Sequence, residues 1–181
     1  MEILIIGMAI FFVIFVLILL IAKTYNNFQN YIIRINEAET NIDSILRKRF
    51  DLLNKSIDII KANIKTDDEI LSEIVKLRSR KLSNFDLDRS LCDGIAEFNT
   101  YKEKYPELKN SEVFTKTSIS LNESDAEIIA FKKYYNDIIT DYNKLAKSFP
   151  SNIVALIFRF KPKLYFDGKD MSDDDVNDFK L

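Results

Sequence analysis

From Ile3 to Ala22 the chain reads ILIIGMAIFFVIFVLILLIA, with no charge, no proline and no polar side chain. About twenty such residues in a helix, rising about 1.5 Å each, span roughly 30 Å, the thickness of a bilayer's hydrocarbon. A cleavable signal peptide would carry a positive leading segment, a shorter apolar core and a small-residue cleavage site. Only Glu2 precedes the run and Lys23-Thr24-Tyr25 follows it, so it reads as an uncleaved anchor. Lys23 and Arg34 lie on its C-terminal side and no Lys or Arg lies before it. That asymmetry predicts a single-pass plasma-membrane protein with a two-residue N-terminus (1–2) outside, a transmembrane helix (3–22), and the body on the cytoplasmic side. Tyr25 and Phe28 are placed at headgroup level or in the helix that continues inward.

The remainder is long enough for one domain with a real core. A balance of 26 basic against 28 acidic residues gives no broad positive field, so no nucleic acid is expected as a partner. The single cysteine, Cys92, excludes an intramolecular disulfide and fits a reducing compartment. With no histidine, zinc sites built on histidine, histidine general bases and Ser-His-Asp triads are all excluded. Neither a dinucleotide fingerprint nor a P-loop occurs, and three glycines are few for any phosphate loop.

Past the anchor the apolar residues step by three and four: Tyr25, Phe28, Ile32, Ile35, Ile42, Leu46, Leu53, Ile57, Ile60 and Ile64. This predicts one helix face sustained for about forty residues, roughly 60 Å, ending near Lys65. Thr66-Asp67-Asp68-Glu69 has capping-box spacing for a second helix marked by Ile70, Ile74 and Leu77. A break at Asn84-Phe85-Asp86 introduces a third, with Leu87, Leu91, Ile95, Phe98 and Tyr101 on one face and its end before Pro106. Phe114, Leu121, Ile128, Tyr135, Ile138, Tyr142, Leu145 and Phe149 keep a helical phase over 113–148. Thr115 to Ser120 is rich in Thr and Ser, and Ser124 stands three before Glu127, which predicts a weak or broken first third. Each helix has one apolar face that none can bury alone, so an antiparallel bundle follows.

The stretch AKSFPSNIVALIFRFKP, Ala146 to Pro162, closes the pattern. Pro150 breaks the long helix, Ser151 is positioned to cap a short new one over Ile153 to Phe160, and Lys161-Pro162 stops it. The short helix either caps the bundle core with Ile153, Leu156 and Ile157, the reading its brevity favours, or dips into the lipid interface with Arg159, Lys161 and Lys163 near phosphates.

Three separated stretches carry a resemblance. Tyr25-Asn26 with NEAETNIDSILRKRFDLLNKSIDIIKAN (36–63), the turn Tyr105-Pro106-Glu107-Leu108-Lys109, and YYNDIITDYNKLAKSFPSNIVALIFRFKP (134–162) resemble, in order, the opening, the middle turn and the end of the LemA family of membrane-anchored bacterial helical proteins. Where that family has a proline in its first long helix, this chain reads Asp51-Leu52-Leu53-Asn54-Lys55-Ser56-Ile57, and the helix is expected to run straighter. The resemblance implies an all-α fold: one N-terminal transmembrane helix followed by a LemA-like antiparallel bundle of long helices over 23–166. It implies no activity, and no catalytic, cofactor-binding or metal-ligating residue.

Charged clusters have two readings each. Arg47-Lys48-Arg49 and the basic run Lys76, Arg78, Arg80, Lys81 are expected to be solvated helix faces, with anionic lipid or nucleic acid as the sharper option. Glu37, Glu39, Asp43, Asp51 and Asp58 lack the histidines that carboxylate metal sites in helical bundles use, and Asp51 is expected to pair with Arg47. Cys92 reads as a small core residue, not a nucleophile. The tail 167–181, with DGKDMSDDDVNDFKL, has the composition of an unfolded segment. The function expected is a non-enzymatic, membrane-tethered helical scaffold or adaptor. Its partners are the bilayer through Ile3–Ala22 and other proteins, with self-association as a further option. The alternative is a membrane-bound hydrolase or metal-dependent enzyme built on clustered carboxylates.

Overall fold

The computed structural model describes residues 1–64 and 82–167. The second helix expected after Thr66, the basic run at 76–81 and the acidic tail beyond Asp167 lie outside them. The described residues form an all-α protein with no strand: α1 (Glu2–Ile64), α2 (Asn84–Lys104), a 3-10 turn (Pro106–Asn110), α3 (Glu112–Lys147) and α4 (Ser151–Phe158). The apolar run belongs to α1, whose register passes without interruption into the amphipathic part of the same helix, as a stretch lacking proline allows. Two compact units divide the chain, and the long helices contribute to both.

One unit comprises Met1–Glu37 with Tyr135–Tyr165. Phe28 is its centre: it is fully buried, stacks on Phe160 at 4.5 Å between ring centroids and meets Tyr142 edge-on at 5.6 Å. Phe28 is therefore core, whereas Tyr25, half-buried, sits edge-on to Phe158 at 4.9 Å. Residues 161–165 run back along α3, held by its polar side chains. Tyr142 Oη donates to the Lys161 carbonyl at 3.0 Å, and Asn143, 1% exposed, exchanges two hydrogen bonds of 2.8 Å with the backbone of Lys163.

The other unit comprises Ala38–Tyr134, joined by Phe166. Ile42, Leu46, Leu53, Ile57 and Ile60 of α1 are buried, as the three-and-four spacing requires. Leu91, Ile95, Phe98 and Tyr101 of α2 are buried with them. Ion pairs and hydrogen bonds set α2 antiparallel to α3: Asp88 meets Lys132, and Lys102 reaches Ser118 two helical stretches further on. The Tyr105–Lys109 segment makes the tight connection between them, with Pro106 opening the 3-10 turn, Leu108 buried and Phe98 against Phe114 at 5.0 Å.

Two expectations about helix ends are corrected. α2 begins at Asn84, inside the anticipated break, because Ser83 is its N-cap: the Ser83 hydroxyl accepts from the Asp86 amide at 3.1 Å. α3 is unbroken over the Thr/Ser-rich stretch. There the hydroxyls bond within the helix instead of competing with it: Thr117 Oγ1 donates to the Val113 carbonyl at 2.8 Å and Ser124 Oγ to the Leu121 carbonyl at 2.6 Å.

Candidate functional site

Two arrangements stand apart from ordinary helix packing, one in each unit. The first is an ion-pair layer inside the unit that contains Ala38–Tyr134. Arg49, expected on a solvated face, is 2% exposed and is the largest of the fully buried side chains among the described residues. Its Nη1 donates to Asp125 Oδ1 at 2.5 Å and to Ser124 Oγ at 3.3 Å, both on α3. Its neighbours in sequence do behave as surface groups: Arg47 is exposed, and Lys48 reaches Glu127 at 3.0 Å between half-exposed side chains. A helix face changes every residue, so a basic triplet cannot lie on one side, and the third member turns inward. Asp88 of α2, also buried, pairs with Lys132 of α3. Arg49 Nε and Asp88 Oδ1 are buried without a hydrogen-bonding partner, which adds a desolvation cost to the layer.

Cys92 stands one turn beyond Asp88 and feels all four charges. Burial pushes its thiol above the ordinary range, Asp88 and Asp125 push it further, and Arg49 and Lys132 oppose them. The cysteine is exposed at the surface, not the core residue expected, because its helix position faces outward between Leu91 and Ile95. A thiol held protonated is a slower nucleophile than a free one.

The acidic residues singled out in α1 do not assemble. Glu37, Glu39, Asp51 and Asp58 are exposed and Asp43 is half-exposed, and no group of acidic or thiol ligands among the described residues is placed to hold a metal ion. Arg47 pairs with Asp43 at 2.7 Å, not with Asp51 as expected; Asp43 lies one turn toward the N-terminus, the arrangement of acid before base that suits the helix dipole.

The second arrangement surrounds α4. Ser151 does not cap α4 as anticipated. It is the first helical residue, and its hydroxyl donates to the Leu145 and Ser148 carbonyls at 2.6 and 2.8 Å, closing the end of α3. The inner face of α4 is Ser151, Val154 and Ala155. Ile153, Leu156 and Ile157 do not cover the core: they are 49%, 81% and 61% exposed, with Phe149 at 81% beside them. Phe158 borders an apolar groove of about 330 Å³ with Ile18, Ile21, Ala22, Tyr25 and Asn26, the last turn of the apolar run and the first polar turn after it. The helix stops before Lys161-Pro162, at Arg159, whose φ of 59° is left-handed. The Phe160 amide then donates to Ala155 at 2.9 Å and the Arg159 amide to Leu156 at 3.4 Å, the paired bonds of a Schellman end.

These features define an all-α protein with one N-terminal helix long and apolar enough to cross a membrane, no metal cluster among the described residues, and a short apolar helix, α4, whose Phe158 lies beside the end of that run. The LemA family model matches residues 38–178. A protein named LemA from Metamycoplasma hominis is 33% identical over 129 residues, which is 67% of this chain and 58% of that relative's own length. The chain belongs to the LemA family.

Proposed function

We propose that the chain is a non-enzymatic, single-pass membrane protein whose helical body serves as a scaffold or adaptor at the inner face of a bacterial plasma membrane. The observation that carries this reading is α1 itself: one helix holds both the membrane-length apolar run and the core residues Phe28, Ile35, Leu46 and Leu53. Anchoring and folding thus depend on the same element. Lys23 and Arg34 support a cytoplasmic body. The carboxylate-enzyme alternative gains no support from acidic side chains that point to solvent at separate positions.

A scaffold presents fixed surface to specific proteins. Photocrosslinkers placed one at a time on exposed helix positions of the full chain in intact cells should give adducts that recur at neighbouring positions and saturate. Removing residues 3–22 should release the body from the membrane fraction and abolish those adducts. A body that stays membrane-bound without the run, or adducts indifferent to position and anchor, would defeat the proposal.

A further inference from the structure

We propose that the outer face of α4, Ile153, Leu156 and Ile157 with Phe149, inserts into the headgroup–acyl boundary of an anionic leaflet, giving this chain a second membrane contact beside its anchor. The inference rests on the membrane-tethered reading above and adds a surface to it.

A short helix closing a water-soluble core should be polar outside. α4 is apolar on both faces: Val154 and Ala155 are buried, and Leu156 and Ile157 face outward. Helices apolar all round belong in a protein interior or in lipid. The outer face is not isolated, because Phe158 shares its groove with Ile18, Ile21 and Ala22. The exposed patch is therefore continuous with the end of the apolar run, at the depth where that run leaves the hydrocarbon. Amphipathic segments seat themselves roughly 5–10 Å into this boundary.

Charge selects the occupant. Residues 3–36 carry Lys23 and Arg34 and no acidic side chain, and residues 142–166 carry Lys144, Lys147, Arg159, Lys161 and Lys163 and none either. The nearly neutral total for the whole chain conceals this local excess. A second copy seated on the patch would bring the same cations face to face, whereas an anionic leaflet neutralises them. Arg159 adds to the argument. It occupies the left-handed position that ends α4, where glycine is the least strained choice, and places a guanidinium there instead. Few apolar residues bind a membrane weakly when free, but α1 holds α4 beside the bilayer, so its insertion becomes an intramolecular step.

The sequence contains no tryptophan, so a Leu156→Trp variant of the full chain carries a single reporter at an exposed site. In vesicles containing phosphatidylglycerol its emission should shift to the blue and lose most of its intensity to lipids brominated high on the acyl chain. The quenching should weaken in vesicles of phosphatidylcholine alone, and the added Arg159→Gln and Lys161→Gln changes should remove that difference. A Leu17→Trp variant, quenched by deeply brominated lipid, reports the anchor separately. If Leu17→Trp is quenched and Leu156→Trp emits as in water, the anchor stands and the second contact is overturned. A blue-shifted Leu156→Trp emission that no bromolipid quenches, and that follows the protein-to-lipid ratio, assigns the face to a second copy and overturns it as well. An unquenched Leu17→Trp removes the tethered reading itself.

Discussion

Arg49 on α1 and Asp125 on α3 are joined at 2.5 Å, one side chain 2% exposed and the other about half open to solvent. Burying a guanidinium costs several kcal/mol before any partner is counted, so the contact is better understood as fixing one register between two helices than as a source of net stability. A helix sliding by one turn would leave Arg49 without its carboxylate.

The asymmetry of that pair gives a first prediction. Asp125→Ala leaves the guanidinium buried and uncompensated and should destabilise the chain by about 2 kcal/mol, below the ~3–5 kcal/mol of a fully buried pair because water reaches Asp125. Arg49→Met removes the charge with its burden and should be near neutral, within about 1 kcal/mol. Urea unfolding of the detergent-solubilised chain measures both. Equal losses from the two substitutions would mean that the pair contributes as a simple attraction.

Alkaline pH supplies a second. Burial raises the Tyr142 phenol above its usual range. A group whose folded value lies above its unfolded value stabilises the fold fully below the unfolded value, about pH 10, and loses that contribution as pH rises through the folded one. Tyr142→Phe forfeits the hydrogen bond to Lys161, about 1 kcal/mol at neutral pH. Its deficit against the parent should shrink above about pH 10. A deficit constant with pH would show that the phenol does not titrate on unfolding.

Cys92 reports both chemistry and topology. It is exposed, yet its thiol is held above the ordinary range by burial and by Asp88. Alkylation of the native chain should go to completion but more slowly than that of a free thiol of pKa about 8.5, with the rate still climbing above that pH. In whole cells an impermeant maleimide should label Cys92 only after permeabilisation. Prompt labelling of intact cells would place the body outside.

The helices were legible because their signal is repetitive. Phe28, Ile35, Ile42, Leu46, Leu53 and Ile57 repeat one spacing, and a single misplaced residue does not erase it. What was not legible depends on one side chain meeting another far along the chain. Arg49 is one of three adjacent cations, and only Ser124 and Asp125, brought opposite it by folding, make burial tolerable. Ser151 resembles an N-cap by type and position, but its hydroxyl turns back to the Leu145 and Ser148 carbonyls at the end of α3. The Thr/Ser stretch of α3 misled for a related reason, since propensity does not reveal that Thr117 and Ser118 are buried, Ser118 in contact with Lys102 of α2. At the chain's apolar turn, periodicity identified the short helix but not which face it buries, since both faces carry apolar residues.

That ambiguity yields the last prediction. From sequence, Ile157→Asp is expected to lower the unfolding midpoint by burying a charge against the core. The structure transfers that expectation to Val154, which is 5% exposed on the inner face, whereas Ile157 is 61% exposed on the outer one. An aspartate at 154 must enter an apolar site or stay protonated to remain there, or detach α4 from α3, and each route is costly. Val154→Asp should therefore destabilise the solubilised chain by about 3 kcal/mol or more. Ile157→Asp should change stability by no more than about 0.5 kcal/mol, as an exposed substitution does. A clear loss at 157 would return α4 to the role of a core cap; a loss confined to 154 leaves its outer face available to lipid.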